Sequence, residues 1–214
     1  MPGYDVMARR EQKKFEFHLT THRLEALSDC IFAFAMTLLV LTLTLPDAMA
    51  ELVNVKLHEL LAGQAHKFFN YFLGFMLLAI FWMRHHWQFH WIKKTDSSLI
   101  WINVFILLFV ALMPFSTDVV GDFGSSNTAE VLFATNLLVL GLLFVANWAY
   151  ATRNHRLVDS DLDEEIVTNG LRRGMVTPIV SAVVIVLSFF IPEWSLWFYL
   201  SVPLILLIPP FRQP

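Results

Sequence analysis

Charge is scarce in this chain, because Asp, Glu, Lys and Arg together make up 15% of its 214 residues while 57% are hydrophobic. A soluble domain carries more charge than this on its hydrated surface. Cysteine is almost absent as well. The single Cys30 excludes an intrachain disulfide bond and a cysteine-based metal site. The composition is therefore typical of a protein embedded in a bilayer.

Long apolar runs occupy most of the sequence. A hydrocarbon core about 30 Å thick requires roughly 20 apolar residues per helix. Six runs meet this length, at about 24–45, 66–90, 97–118, 128–151, 174–192 and 194–211. They predict an all-α membrane protein with six transmembrane helices. We expect residues 1–22 to form a cytoplasmic N-terminal segment and residues 23–212 to form one six-helix transmembrane domain.

The first run also has some features of a secretory signal peptide. Basic residues precede it, and Ala48-Met49-Ala50 imitates a cleavage site for a signal peptidase. However, the apolar run from Ala26 to Leu45 exceeds the roughly 7–15 residues of a signal-peptide core, and Asp29 is unusual near the start of one. We therefore expect a retained transmembrane helix.

Lys and Arg are distributed unevenly between the loops. If the N-terminus is inside and the chain crosses six times, only Lys56 and Lys67 of the 15 Lys and Arg residues fall on the outer side. The positive-inside rule then predicts a multi-pass protein of the cell membrane with both termini in the cytoplasm.

The most polar internal stretch lies between the fourth and fifth runs. Its acids alternate like those of a calcium loop, but the stretch lacks the glycine and the ligand order of such a site. We expect a solvated surface with a helical turn before the fifth span, where Arg172 and Arg173 anchor the membrane interface.

Charged and polar residues stand at the start of the first span, in "HRLEALSDCIFAFAMTLLVLTL" (22–43). Arg23 and Asp29 are six residues apart, so on an ideal helix they point about 120° away from each other and need partners on other helices. Candidate partners lie at the same depth in the second and third spans: Arg84, His85, His86, Trp101 and Asn103.

These polar residues predict an interhelical hydrogen-bonded clamp. A metal site at His85, His86 and His90 is the weaker alternative, because adjacent histidines on a helix point in different directions. We expect no metal and no cofactor.

One stripe of the first span could line a water-filled path. At 100° per residue the stripe contains Phe34, Thr37, Leu38, Leu41 and Leu45. Hydroxyl groups alternating with large apolar side chains suit such a path. The threonines could equally bond their own backbone carbonyls. The pattern alone leaves both interpretations open.

Several motifs resemble those of the transmembrane protein 175 family of potassium channels. "RLEALSD" followed by "CIFAFAMTLLVLTL" is similar to the family's Arg-x-x-x-Phe-Ser-Asp signature and first helix. The resemblance continues through "FWMRHHWQF", "LIWINVFILLFVALMPFSTDVVG", "LFATNLLVLGLLFVANWAYAT" and "RRGMVTPIVSAVVIVLSFFIP". It covers nearly the whole chain, and only one six-helix unit is present, as in bacterial members of the family.

The resemblance implies a homotetramer in which the first helix of each subunit lines a central pore. Carried over by position, Arg23, Ser28 and Asp29 hold this helix in place and Phe34 forms the first narrow apolar ring. Thr37 supplies a hydroxyl layer, with Leu38 and Leu41 lining the pore further out. Two departures are Leu27, where the signature has phenylalanine, and Phe34, which is bulkier than the family's usual isoleucine or leucine.

The expected function is a potassium-selective or potassium-preferring cation channel, with K⁺ as the permeant ion and lipid as its surroundings. The sequence contains no Thr-Val-Gly-Tyr-Gly carbonyl filter. Selectivity is therefore expected from side chains and gating from a hydrophobic constriction. The alternative is a secondary transporter or a proton pathway that uses the histidines. We expect that the protein is not an enzyme and does not bind nucleic acid.

Overall fold

The computed structural model describes residues 20–44, 57–124 and 126–208, and within them it is helical and contains no strand. The all-α prediction is therefore confirmed for this part of the chain. The α-helices in order are α1 (Thr21–Leu38), α2 (Leu57–Gly63), α3 (Ala65–Trp91), α4 (Ser97–Asp122), α5 (Asn127–Thr152), α6 (Glu164–Leu187), α7 (Pro192–Ser195) and α8 (Ser201–Leu207). Helical 3-10 turns extend α1 (Leu39–Thr42), extend α5 (Arg153–His155) and join α7 to α8 (Leu196–Leu200).

Five of the helices in the described ranges are long and apolar enough to cross a membrane: α1 with its turn, α3, α4, α5 with its turn, and α6. The sixth predicted span, about 194–211, is occupied up to residue 208 by α7, the 3-10 turn and the short apolar α8. Five spans make this a multi-pass membrane protein, and the sixth crossing stays a prediction.

The fifth span begins about ten residues before its predicted start at 174, which corrects the sequence-based boundary. Helix α6 runs without interruption from Glu164 to Leu187. Asp163 caps it, because its carboxylate accepts a hydrogen bond from the Glu165 N–H at 2.8 Å. Glu164 and Glu165 lie in the first turn, where their negative charges are stabilised by the positive end of the helix dipole. Acids that look like a solvated loop in the sequence therefore start a helix.

Helix α5 forms the centre of the bundle, between α4 and α6. Its buried share is the largest of the five spans, at 50%, and that of α1 is the smallest, at 28%. The α5–α6 contact is close because Gly141 has no side chain: a Cβ there would lie 2.7 Å from Cδ of Pro178. The core around α5 includes Phe81, Phe133 and Phe144.

Helices α3 and α4 are tied together at the end opposite the signature motif. Lys67 Nζ pairs with Asp122 Oδ1 at 2.5 Å, and the ring of His66 lies 2.9 Å from the Gly121 carbonyl oxygen. At the other end, the Lys93 N–H donates to the Leu157 carbonyl at 2.8 Å. The α3–α4 connection is thus hydrogen-bonded to the α5–α6 connection, on the side of the bundle that the sequence predicts to face the cytoplasm.

Candidate pore helix and the polar network beside it

Helix α1 has one buried face and one exposed face. Leu24, Ser28, Phe32, Ala35 and, in the following turn, Leu39 are buried against the rest of the bundle. Contacts with α3 and α4 cover this face. The opposite face has no cover within the described chain, so its side chains are available to a partner subunit, to lipid or to a water-filled path.

The described residues of the predicted pore stripe all lie on the exposed face. Phe34 is 70% exposed and Leu41 is 66% exposed, whereas Phe32, two residues from Phe34, is completely buried. Leu38 and Thr37 are exposed as well. Leu45 lies outside the described residues. In a membrane protein an exposed row of large apolar side chains faces lipid or another subunit, and α4 exposes a similar row that includes Phe105 and Leu108.

The hydroxyl of Thr37 bonds within its own helix. Its Oγ1 donates to the Ala33 carbonyl at 2.8 Å, as Thr42 donates to the Leu39 carbonyl at 2.8 Å. The interpretation that the threonines satisfy their own backbone therefore holds for both. It does not exclude a role in ion contact, because the Thr37 oxygen keeps acceptor lone pairs once its proton is bound to the backbone. Thr37 is exposed and Thr42 is buried.

The signature residues Ser28 and Asp29 find local and neighbouring partners. Ser28 Oγ donates to the Leu24 carbonyl at 2.8 Å. Asp29 Oδ1 accepts a hydrogen bond from Trp82 Nε1 of α3 at 2.8 Å. Trp82 is not among the candidate partners named from the sequence, but it lies on the same helix as three of them, Arg84, His85 and His86. An indole N–H is a neutral donor that suits a carboxylate acceptor, and Trp82 stands two residues before Arg84 on α3.

A buried chain of amide side chains joins α3, α4 and α5. The ring of His85 lies 3.1 Å from Asn103 Oδ1, and Asn103 Nδ2 donates to Asn147 Oδ1 at 2.9 Å. Asn147 Nδ2 donates to Gln88 Oε1 at 2.8 Å, and Gln88 Nε2 donates to the Phe144 carbonyl at 2.9 Å. All four polar side chains are at most 1% exposed. Two of the predicted clamp residues, His85 and Asn103, belong to this network, but it contains neither Arg23 nor Asp29 and joins α3, α4 and α5 rather than α1.

Two members of the network, Gln88 and Asn147, are absent from the sequence-based set. Gln88 is three residues from His85, so both side chains lie on the same face of α3 and point into the bundle. That spacing could have identified Gln88. Asn147 sits in an otherwise apolar run of α5 and offers no comparable pattern.

The other predicted members of the network lie apart from it. Trp101 is 63% exposed, with its ring 6.4 Å from that of Phe105. His86 is exposed and stacks on Trp82, and Arg23 is exposed at the start of α1. Arg84 points to α6, where its Nη2 donates to the Gly170 carbonyl at 3.4 Å. In the described part of the chain, no group of three His, Cys, Asp or Glu side chains is placed to hold a metal ion.

The network reaches the back of the candidate pore helix through His85. Its ring lies 6.0 Å from that of Phe32 on the buried face of α1, and it stacks on Phe89 at 4.4 Å. Phe144 meets the same ring edge-on at 6.2 Å. Helix α1 is thus packed through Phe32, Ala35 and Leu39 against the hydrophobic core, and His85 is the network residue that meets it.

A second polar cluster sits at the α3–α4 connection, outside the spans. Asp96 caps α4 by accepting from the Leu99 N–H at 2.9 Å, and its Oδ2 accepts from the Tyr150 hydroxyl at 2.7 Å and pairs with Arg156 at 3.3 Å. Burial acts to raise the pKa of Asp96, but the hydrogen bonds from Tyr150 and Leu99 and the charge of Arg156 outweigh it. The pKa of the Asp96 carboxyl is therefore held below its usual value of 3.8.

Comparison with known proteins agrees with the resemblance seen in the motifs. The family model described as endosomal/lysosomal potassium channel TMEM175 matches residues 23–114. A protein named potassium channel from Streptomyces collinus is 30% identical over 145 residues, which cover 66% of this chain and 69% of that protein. A second protein named potassium channel, from a Chryseobacterium species, is 29% identical over 197 residues, which cover 91% of this chain and 96% of that protein.

A human relative is named endosomal/lysosomal proton channel TMEM175. It is 27% identical over 148 residues, which cover 64% of this chain and 29% of the human protein. The fold is similar to the crystal structure of a lysosomal potassium-selective channel TMEM175 homolog from Chamaesiphon minutus. That match has a TM-score of 0.78 and 22% identity, and covers 90% of this chain and 98% of that one. The chain belongs to the TMEM175 family of ion channels.

Proposed function

We propose that this protein is a potassium-selective or potassium-preferring cation channel, a homotetramer in the cell membrane with both termini in the cytoplasm. Residues 23–212 form its channel domain, the last apolar segment completes a sixth crossing, and α1 lines the pore. The supporting observation is the exposed stripe of α1. Phe34, Leu38 and Leu41 are exposed on a helix whose other face is packed into the hydrophobic core of the bundle. The relatives named potassium channels support the choice of ion.

The stripe has the chemistry that a gate without a carbonyl filter needs. Four copies of Phe34 around an axis form a narrow apolar ring, from which water withdraws and in which a hydrated cation is poorly solvated. One turn further along the helix, four Thr37 side chains present oxygen lone pairs, because each hydroxyl proton is bound to Ala33. Oxygen ligands of this kind replace part of the hydration shell of a cation.

Four subunits are proposed because each contributes one pore helix, and four helices enclose a narrow axial path under closed cyclic symmetry. The expected species in detergent is a single tetramer, measured by light scattering with a correction for bound detergent. A conducting monomer or dimer would contradict the proposed assembly.

A proton pathway is the second candidate function, because vertebrate members of the family are named proton channels. The chain covers 29% of the human relative. His85 is the buried histidine next to α1, but its ring nitrogen is engaged with Asn103. The amide chain behind Asn103 ends at the Phe144 carbonyl and does not continue across the bundle.

The test uses purified protein in liposomes under opposed K⁺ and Na⁺ gradients, with a pH-sensitive dye inside. The proposal predicts a reversal potential that follows the K⁺ gradient, with no requirement for a pH gradient. A reversal potential that follows the proton gradient would favour the proton pathway. Saturable uptake coupled to a second ion would favour a transporter.

A further inference from the structure

A cavity of about 440 Å³ opens between α3, α6 and α8. Its walls are mainly apolar and include Trp87 of α3 and Leu206 of α8. Met83 and Leu207, which also line it, are 50% and 68% exposed, so the mouth lies on the outer surface of the described bundle. All lining residues come from α3, α6 and α8, which separates this cavity from the exposed stripe of α1.

Two guanidinium groups line this apolar cavity, from Arg84 of α3 and Arg173 of α6. Among the described residues, no carboxylate pairs with either of them. The Arg84 Nε is buried and has no hydrogen-bond partner, and Nη2 makes only the long bond to Gly170. A guanidinium has five N–H donors, so most of the donors of Arg84 are free. A pair of uncompensated positive charges in an apolar cleft is costly unless an anion joins them.

The Arg84 guanidinium is held against α6. Gly174 allows the close approach, because a Cβ at this position would collide with Nη2 of Arg84. The group also lies 5.8 Å from the centre of the Phe144 ring. Its charge is therefore fixed at the cavity, as in a binding site formed before the ligand arrives.

The depth of the cavity suits a lipid headgroup. Helix α3 has 27 residues and is about 40 Å long, which exceeds a hydrocarbon core of about 30 Å. Arg84 stands seven residues before the last residue, Trp91, which places it about 10 Å from the helix end. The guanidinium can therefore reach the phosphate level at the end of α3 that is followed by Lys93 and Lys94.

We propose that this cavity binds an anionic phospholipid, whose phosphate joins Arg84 and Arg173 and whose acyl chain covers the apolar wall. Arginine is suited to a phosphate because its planar fork donates two parallel hydrogen bonds. A free phosphate would use the same donors but would leave the walls around Trp87 and Leu206 uncovered. Anionic lipids are concentrated in the cytoplasmic leaflet of cell membranes, where the sequence predicts this end of α3.

Native mass spectrometry of the detergent-purified oligomer tests the proposal. The protein is titrated with phosphatidylglycerol, with phosphatidylcholine of the same acyl chains, and with glycerol 3-phosphate. We expect phosphatidylglycerol to bind at least about tenfold more tightly than phosphatidylcholine. Arg173→Gln should weaken phosphatidylglycerol binding by about tenfold, and Arg172→Gln, at its exposed neighbour, should leave it unchanged.

A second variant guards against the case in which Arg173→Gln loses binding only because it misfolds. Leu206→Trp adds bulk to the cavity wall and leaves both arginines in place, so it should also weaken phosphatidylglycerol binding. Equal affinity for the two lipids, full binding in both Arg173→Gln and Leu206→Trp, or binding of glycerol 3-phosphate as tight as that of the lipid would each overturn the proposal. The readout is lipid binding, so its result is independent of ion flux.

Discussion

At the scale of single residues, the properties of the candidate pore depend on how each side chain meets its own backbone. Thr37 is exposed and donates its proton to Ala33, so only its oxygen lone pairs face outward. Valine has the same shape without the oxygen. A substitution at position 37 can therefore remove the polar oxygen with little change in the width of the proposed pore.

Thr37→Val should therefore lower the ratio of K⁺ to Na⁺ permeability more than it lowers total conductance. The measurement is the reversal potential in planar bilayers under bi-ionic conditions. Thr42→Val is the matched control, because Thr42 makes the same type of backbone bond but is buried. An unchanged permeability ratio in Thr37→Val would remove the hydroxyl layer from the proposed selectivity mechanism.

Asn147 is the central residue of the buried network, since it accepts from Asn103 and donates to Gln88. Asn147→Leu leaves the Gln88 Oε1 without its donor and one of the two N–H groups of Asn103 Nδ2 without an acceptor, while the other stays bonded to the Leu99 carbonyl; each unpaired buried group costs about 1–3 kcal/mol. We expect a marked fall in the apparent Tm of the purified protein. The exposed His86→Leu should have little effect.

A double-substitution cycle separates the network from simple loss of packing. If the two amides act together, Asn103→Leu combined with Asn147→Leu should destabilise the protein by less than the sum of the single variants. Additive effects would contradict a coupled network.

At the scale of helices, the sequence predicts most of the spans but not all of their ends. The first four predicted spans overlap α1, α3, α4 and α5 because long apolar runs are a strong signal. The sequence places the fifth span about ten residues too late because the first turns of α6 are acidic, although a helical turn before it is expected. Network members were predicted where a polar residue stood near the signature depth, as at His85 and Asn103. Asn147 could not be predicted in this way, because which side chains meet across two helices depends on how the helices pack.

The cap of α4 gives a pH dependence at this scale. The pKa of Asp96 is lowered in the folded state, so its charge contributes stability that is complete above its unfolded pKa of about 3.9 and is lost as pH falls through the lower folded value. Asp96→Asn should lower the apparent Tm at pH 7, and the difference from the original protein should shrink below about pH 4. Asparagine can still cap the helix, so the difference reports the charge.

Thermal unfolding in detergent at pH 7, 5 and 3 measures this effect. Asp161→Asn, at an exposed acid of the α5–α6 connection, is the control and should change the apparent Tm equally little at each pH. A difference between Asp96→Asn and the original protein that grows on acidification would contradict the assignment.

At the scale of the whole molecule, the single chain leaves the proposed pore-lining surface of α1 uncovered. In the proposed tetramer, four copies of the exposed stripe of α1 surround one axis, and the buried face around Phe32 holds each α1 in the same orientation. In the proposed tetramer the path lies between subunits, so one chain alone does not enclose it. On this proposal, the difference between the buried and exposed faces of α1 selects the lining residues, and the assembly determines the width of the path.

The orientation of α1 is tested most directly by single-channel recording of Phe34→Ala and Phe32→Ala. The two side chains are equal in size and two residues apart, but Phe34 is 70% exposed and Phe32 is completely buried. Phe34→Ala should raise unitary conductance and weaken discrimination between cations, because an apolar ring is removed from the axis. Phe32→Ala should lower stability by about 3–5 kcal/mol with little change in unitary conductance. Unchanged conductance in Phe34→Ala together with altered conductance in Phe32→Ala would show that the other face of α1 lines the pore.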